Sequence, residues 1–201
     1  MKNLRIKTLS IIAIIAISSC SKDNEPQNQP DPVNEEELIT TVNVVFTPVG
    51  IGNSVTLSWS DLDGDGLNPP IFAPIQNKFK VNTTYNGVVT ILDQSKNPVD
   101  NITEEVIAES VDHQLFYIKT GNLPAFNYTP ITEAPTNYDT NGKPLGLQTK
   151  FVTTGIANGS LKIVLKHEGN KSAIGVATGD FTNASGATDF DITFLGLEVI
   201  E

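Results

Sequence analysis

Leu38-Ile39-Thr40-Thr41-Val42-Asn43-Val44-Val45-Phe46 is the stretch that decides the fold. Its apolar and polar residues alternate. Leu38, Thr40, Val42, Val44 and Phe46 therefore share one face of an extended chain, since side chains of a strand point alternately to its two sides. Pro48, Gly50, Gly52 and Asn53 then supply turn chemistry. Val55, Leu57 and Trp59 repeat the same period, so the two runs read as adjacent strands.

The period of two continues downstream. Phe79, Val81, Tyr85, Val89 and Ile91 lie on one side of a longer run, with a bend or bulge expected at Gly87. Further runs cover 114–120, 147–153, 160–167 and 189–200. In the last, Phe190, Ile192 and Phe194 give way to Leu195, Leu197 and Val199, and Gly196 marks a bulge at the switch. Seven to nine strands separated by Gly, Pro and Asn turns predict an all-β, antiparallel, immunoglobulin-like β-sandwich, with a barrel as the alternative. One helix is expected over 101–111. Asn101 caps it, Glu104 follows three residues later, and Ile102, Val106 and Val111 fall near one face.

Upstream of the strands the chain reads as an address and a tether. Lys2, Arg5 and Lys7 precede a short apolar run at Leu9 and Ile11–Ile17, and Ser18 and Ser19 lead to Cys20. So short a run fits a cleaved signal, residues 1–19, better than a permanent span of a bilayer about 30 Å thick. Ile17-Ser18-Ser19-Cys20 resembles a bacterial lipobox, which implies lipidation of Cys20, the only cysteine of the chain. Each buried methylene contributes about 0.8 kcal/mol, so two or three acyl chains hold a protein on a membrane where one does not. Ser21-Lys22-Asp23-Asn24-Glu25 resembles the acidic export tag of surface lipoproteins in Bacteroidota. Residues 21–36 carry Pro26, Pro30 and Pro32 and no apolar period, so 20–36 reads as lipidated cysteine plus tether, reaching at most about 50 Å. Residues 37–201 form the single folded domain.

Charge narrows the function. The 201 residues carry 13 basic and 23 acidic side chains, a net charge of −10. Loss of Lys2, Arg5 and Lys7 leaves 10 against 23, a net −13. Such a chain lacks the clustered Lys and Arg that grip phosphates, which argues against nucleic acid as a partner. A single cysteine excludes an intrachain disulfide and a Cys-based zinc site. No GxSxG, HExxH, P-loop or GxGxxG motif occurs.

Several residues could carry chemistry. Asp61, Asp63 and Asp65 alternate within Asp61–Gly66, so their oxygens could converge on one calcium ion while the glycines turn the loop. Phe72 stands where an EF-hand needs glutamate, and Pro69 and Pro70 forbid its second helix. Asp139 and Asn141 form a weaker second pair, within an Asn-Gly turn. His113 and His167 read as separate structural histidines, with nothing in the sequence to bring them together. Glu104, Glu105 and Glu109 read as a solvated helix face. Trp59 and Phe79 belong to inward strand faces. Tyr128 and Tyr138 fall in the long segment 121–144, whose length marks it as the candidate ligand surface.

Seven blocks resemble a family of small Bacteroidota lipoproteins. They are Glu36–Val42 (EELITTV), Ser60–Gly66 (SDLDGDG), Asn82–Gly87 (NTTYNG), Ile102–Val106 (ITEEV), Asp112–Tyr117 (DHQLFY), Asn141–Leu147 (NGKPLGL) and Leu165–Glu168 (LKHE). Members are sometimes filed under a type 1 periplasmic-binding fold. That fold alternates strands and helices in two lobes, a pattern absent here, so the label is not carried over. The expectation is a non-enzymatic, lipid-anchored binding or interaction module, bound to the outer membrane and facing an outer-membrane protein or an extracellular glycan or protein. Calcium is its one candidate cofactor. The alternatives are an accessory subunit that captures a nutrient, such as a glycan or haem, for an outer-membrane transporter, and a hydrolase of unrecognised type.

Overall fold

Strand β1 (Thr41–Pro48) lies between β2 (Val55–Ser60) and β5 (Thr84–Leu92), antiparallel to both. The alternation in the sequence is the reason. Val42, Val44 and Phe46 are buried, as are Val55 and Leu57 beside them and Tyr85, Val89 and Ile91 on the other flank. The computed structural model describes residues 37–64, 66 and 68–201. The expected signal, Cys20 and the tether fall outside the described residues, and so does Asp65.

Two sheets make the sandwich. The larger runs β3-β2-β1-β5-β8-β7, with β3 at Ile71–Phe72, β8 at Gln148–Val152 and β7 at Phe126–Tyr128. The smaller runs β4-β10-β9-β6, with β4 at Phe79–Lys80, β10 at Ala187–Ile200, β9 at Ala157–His167 and β6 at His113–Lys119. The all-β sandwich with one short helix is thus the fold of the described residues. It has ten strands rather than seven to nine, because β3, β4 and β7 are too short to show a period of their own.

The run over 79–91 is two strands. Phe79 and Lys80 pair in parallel with Val199 and Ile200 of the small sheet. Asn82, at φ 54°, then turns the chain back into the large sheet as β5. Asn tolerates this left-handed backbone because its short polar side chain bonds locally. Gly87 is no bulge. It pairs in regular register with Phe46 and Thr149, and a Cβ there would lie 2.6 Å from the Phe46 ring and 2.5 Å from Thr149 Oγ1. The glycine lets the Phe46 ring come close to the backbone. Gly196 is at a bulge as expected, between Phe194 and Leu197.

The core is aromatic at one end. Phe126 stacks on Phe151 at 4.2 Å, Phe79 meets Phe151 edge-on at 4.8 Å, and Phe46 meets Phe79 at 5.3 Å. Each such ring contributes about 1.5–3 kcal/mol by burial, plus a smaller term for the geometry. A second, smaller core forms on the outer face of the small sheet, where Phe116 and Val164 pack against Val176. Segment 168–186 covers this face, carrying short 3₁₀ turns at Val176–Thr178 and Phe181–Asn183.

Helix α1 (Ile102–Ala108) buries Ile102 and Val106, while Val111 falls beyond its end and is exposed. Asn101 does not cap through its oxygen; its amide donates to the Glu104 carboxylate at 2.8 Å. Leu38 also departs from the expected face. It is exposed and β1 begins only at Thr41, with Ile39 buried instead. Among the described residues no helix is long and apolar enough to cross a membrane.

Candidate functional site

Tyr128 and Tyr138 turn inward. The Tyr128 hydroxyl donates to the Leu115 carbonyl at 2.7 Å and accepts from the Gln114 amide at 2.9 Å. The Tyr138 hydroxyl donates to the Thr129 carbonyl at 3.0 Å. Burial raises the pKa of both phenols above the ordinary value of 10.0. Asn137 adds a clamp, donating to the Gln148 carbonyl at 2.8 Å and accepting its N–H at 2.9 Å. Segment 121–144 is therefore fastened to β6 and β8, and its tyrosines act as staples.

The Asp139 carboxylate is already engaged. Oδ1 accepts the N–H groups of Asn141 and Lys143 at 2.8 and 2.9 Å, and Oδ2 lies 3.1 Å from the buried Lys171 ammonium. That ammonium also donates to the Ser110 carbonyl. Burial lowers the Lys171 pKa below the usual lysine value, with Asp139 opposing. Asp139 and Asn141 thus form a loop-closing turn locked by an internal cation.

In the Asp61–Gly66 loop, Asp63 Oδ2 accepts the Asn68 N–H at 3.0 Å and the Asn68 side-chain amide. Those bonds, chiefly the one from the Asn68 side-chain amide, hold the Asp63 carboxyl below the ordinary carboxylate range. Beside it lies a shallow depression of about 360 Å³ lined by Asp61, Asp63, Asn68 and Ile71. The loop packs on Leu38, whose Cδ1 sits 2.7 Å from where a Gly64 Cβ would stand.

The densest gathering of chemistry lies elsewhere. His113 opens β6 and His167 closes β9, and the antiparallel register places them directly opposite. Their imidazoles stack at 4.5 Å with planes 13° apart, both out of solvent. Asp189 is the extra residue at a break in the β9–β10 register, between Thr188 and Phe190. The bulge turns its side chain inward, leaving it 4 % exposed, 3.7 Å from His113 Nε2 and 4.0 Å from His167 Nδ1. Glu109, the C-cap of α1, completes the group. One ligand atom each from Glu109, His113 and His167 lie within 4.8 Å of one another.

The pairing of the histidines depends on strand register between segments far apart in the chain. The sequence does hold one local signal. Glu109 and His113 are four residues apart across a helix end, and the Glu109 carbonyl accepts from both the His113 N–H and, at 3.3 Å, its ring Nδ1. Glu109 is half-buried there, and Glu105 is half-buried with its carboxyl pKa raised by burial, so this helix face is not wholly solvated. Comparison of the chain with family models, with curated proteins and with solved structures yields no match.

Proposed function

We propose that the protein is a lipid-anchored, non-enzymatic module of the bacterial outer membrane, facing the cell exterior, that contacts an extracellular protein or glycan through one end of its sandwich. The observation that carries this reading is the placement of the chain's only cysteine, Cys20, in a lipobox-like Ile17–Cys20 stretch followed by a polar tether. Several acyl chains on that residue would make attachment nearly permanent.

The sandwich has two ends, and the chain enters at the one where Thr41 faces Ser60 and Leu92. At the other end of β1, Pro48 faces Tyr85 and leads into the turn of residues 49–53. Val49 is well exposed and Ile51 stands fully in solvent at 107 %. Ile51, Gly52 and Asn53, with Asn77, Lys78, Lys80 and Ile200, line a depression of about 440 Å³. An apolar tip beside a hollow of mixed polarity suits contact with a large partner. Calcium, where bound, would stiffen the Asp61–Gly66 loop. It would raise the melting temperature of the wild-type protein, and Asp63→Ala would remove that rise.

Fractionation tests the anchor. The wild-type chain is expected in the membrane pellet and Cys20→Ala in the soluble fraction. Mass spectrometry of the mature amino terminus should show an acylated cysteine. Continued membrane association of Cys20→Ala, or an unmodified start downstream of it, overturns the reading.

A further inference from the structure

We propose that Glu109, His113, His167 and Asp189 form a buried site for one divalent transition-metal ion of zinc's class, which ties α1 and β6 to the β9–β10 hairpin. The chain contains two histidines in all, and the fold places them ring to ring.

The donor set selects the ion. Two imidazole nitrogens and two carboxylates suit zinc and its first-row neighbours, whereas calcium and magnesium prefer oxygen alone. The four residues come from the end of α1, the start of β6, the end of β9 and the bulge of β10. Four protein ligands with no open position are the hallmark of a structural site.

The hydrogen bonding of His113 points the same way. A carbonyl only accepts, so the 3.3 Å contact with the Glu109 carbonyl places a proton on His113 Nδ1. In the neutral ring Nε2 is then a bare lone pair. It is buried, has no hydrogen-bond partner, and faces a carboxylate oxygen of Asp189 across 3.7 Å. A buried nitrogen lone pair aimed at a carboxylate oxygen is a place for a cation, whether a metal ion or a proton. A backbone carbonyl on the far nitrogen is also the arrangement that orients metal-binding histidines and makes them better donors.

The spacing is close to what an ion needs. Donors at about 2.0–2.1 Å from a tetrahedral zinc stand about 3.3 Å apart. The gaps of 3.7 and 4.0 Å to Asp189 exceed this by less than 1 Å, and the donors of Glu109, His113 and His167, within 4.8 Å of one another, by up to about 1.5 Å, so the side chains must close in on the ion. The rings, now 13° from parallel, open slightly to converge their lone pairs.

The test uses the untagged full-length chain, purified in detergent and stripped with a chelator that takes zinc and spares calcium. Cobalt(II) is the probe, because its ligand-field absorption reports nitrogen donors directly. One equivalent of cobalt should bind with a tetrahedral spectrum, be displaced by zinc and resist excess calcium. Zinc at a hundredfold excess over its Kd should raise the melting temperature by about 5–10 °C. Glu109→Gln, at a half-buried helix end, should fold and weaken cobalt binding at least tenfold. His167→Asn should abolish the spectrum. A folded wild-type chain that takes up neither cobalt nor zinc overturns the proposal, leaving the contact between His113 and Asp189 as a protonated ion pair. Cobalt binding that calcium reverses, or that both variants leave unchanged, overturns it too.

Discussion

The Lys171 ammonium lies 3.1 Å from Asp139 Oδ2, with both side chains nearly out of solvent. The two residues come from different loops, and their contact joins segment 168–186 to segment 121–144. Removing one partner of such a pair leaves the other charge buried and uncompensated, at a cost of about 3–5 kcal/mol, whereas removing both charges is far milder. Asp139→Asn keeps an oxygen for the N–H groups of Asn141 and Lys143 and removes only the charge. We expect it to lose about 3 kcal/mol in urea denaturation, and Lys171→Met in the same chain to restore most of that. A double variant as unstable as the single one would show that the turn, not the ion pair, holds the loop.

Gly87 makes a second prediction, about packing. A methyl group at this position meets the Phe46 ring and Thr149 Oγ1 inside 3 Å, between two paired strands that cannot part. Gly87→Ala should therefore cost about 1–3 kcal/mol through overpacking. Gly155→Ala is the control, since nothing lies within 4 Å of its added carbon and its φ is not positive. That variant should stay within about 0.5 kcal/mol of wild type. Equal tolerance of the two changes in thermal melts would mean that the Phe46 ring does not rest on the Gly87 backbone.

Gly87 also shows which parts of the fold are legible in the sequence. Long strands with one wet face declare themselves by alternation, as β1, β2 and β5 do. A glycine inside such a run has two meanings, a bulge or a close approach, and only the neighbour across the sheet decides between them. Val164 illustrates a different limit. It is buried between Ile163 and Leu165 because segment 168–186 covers the outer face of the small sheet, so alternation fails where both faces are dry. The histidines are hidden for a third reason. Their stacking follows from the β6–β9 register, and the Asp189 contact follows from a bulge, neither of which leaves a local pattern. The length of segment 121–144 points to Tyr128 and Tyr138 as a ligand surface, but length says nothing of where a hydroxyl bonds. Their hydroxyls instead satisfy the carbonyls of Leu115 and Thr129.

Those phenols set the behaviour of the protein in alkali. Burial raises the pKa of Tyr117, Tyr128 and Tyr138 above 10.0, and Tyr117 is raised further by its neighbour Tyr128. An acid whose folded pKa is raised costs nothing while both states are protonated. As pH climbs past about 10 the unfolded chain releases the proton and the folded one keeps it, so stability falls. For the half-buried Tyr117 and Tyr128, whose phenols are the more strongly raised, the slope approaches about 1.4 kcal/mol per pH unit each. Lys171 acts with the opposite sign. Its lowered pKa means that the unfolded chain holds the extra proton below 10.5, so stability gains with pH until that value and no further. The phenols outnumber it, and beyond about pH 10.5 they act alone. Urea midpoints measured from pH 9 to pH 12 should therefore decline steeply at the upper end. Tyrosinate absorbance should rise together with unfolding rather than before it. Tyr117→Phe loses the 2.6 Å bond to the Gly146 carbonyl, about 1 kcal/mol at neutral pH, and also makes the alkaline decline shallower. An unchanged alkaline slope in that variant would show that the Tyr117 phenol ionises as readily in the folded chain as in the unfolded one.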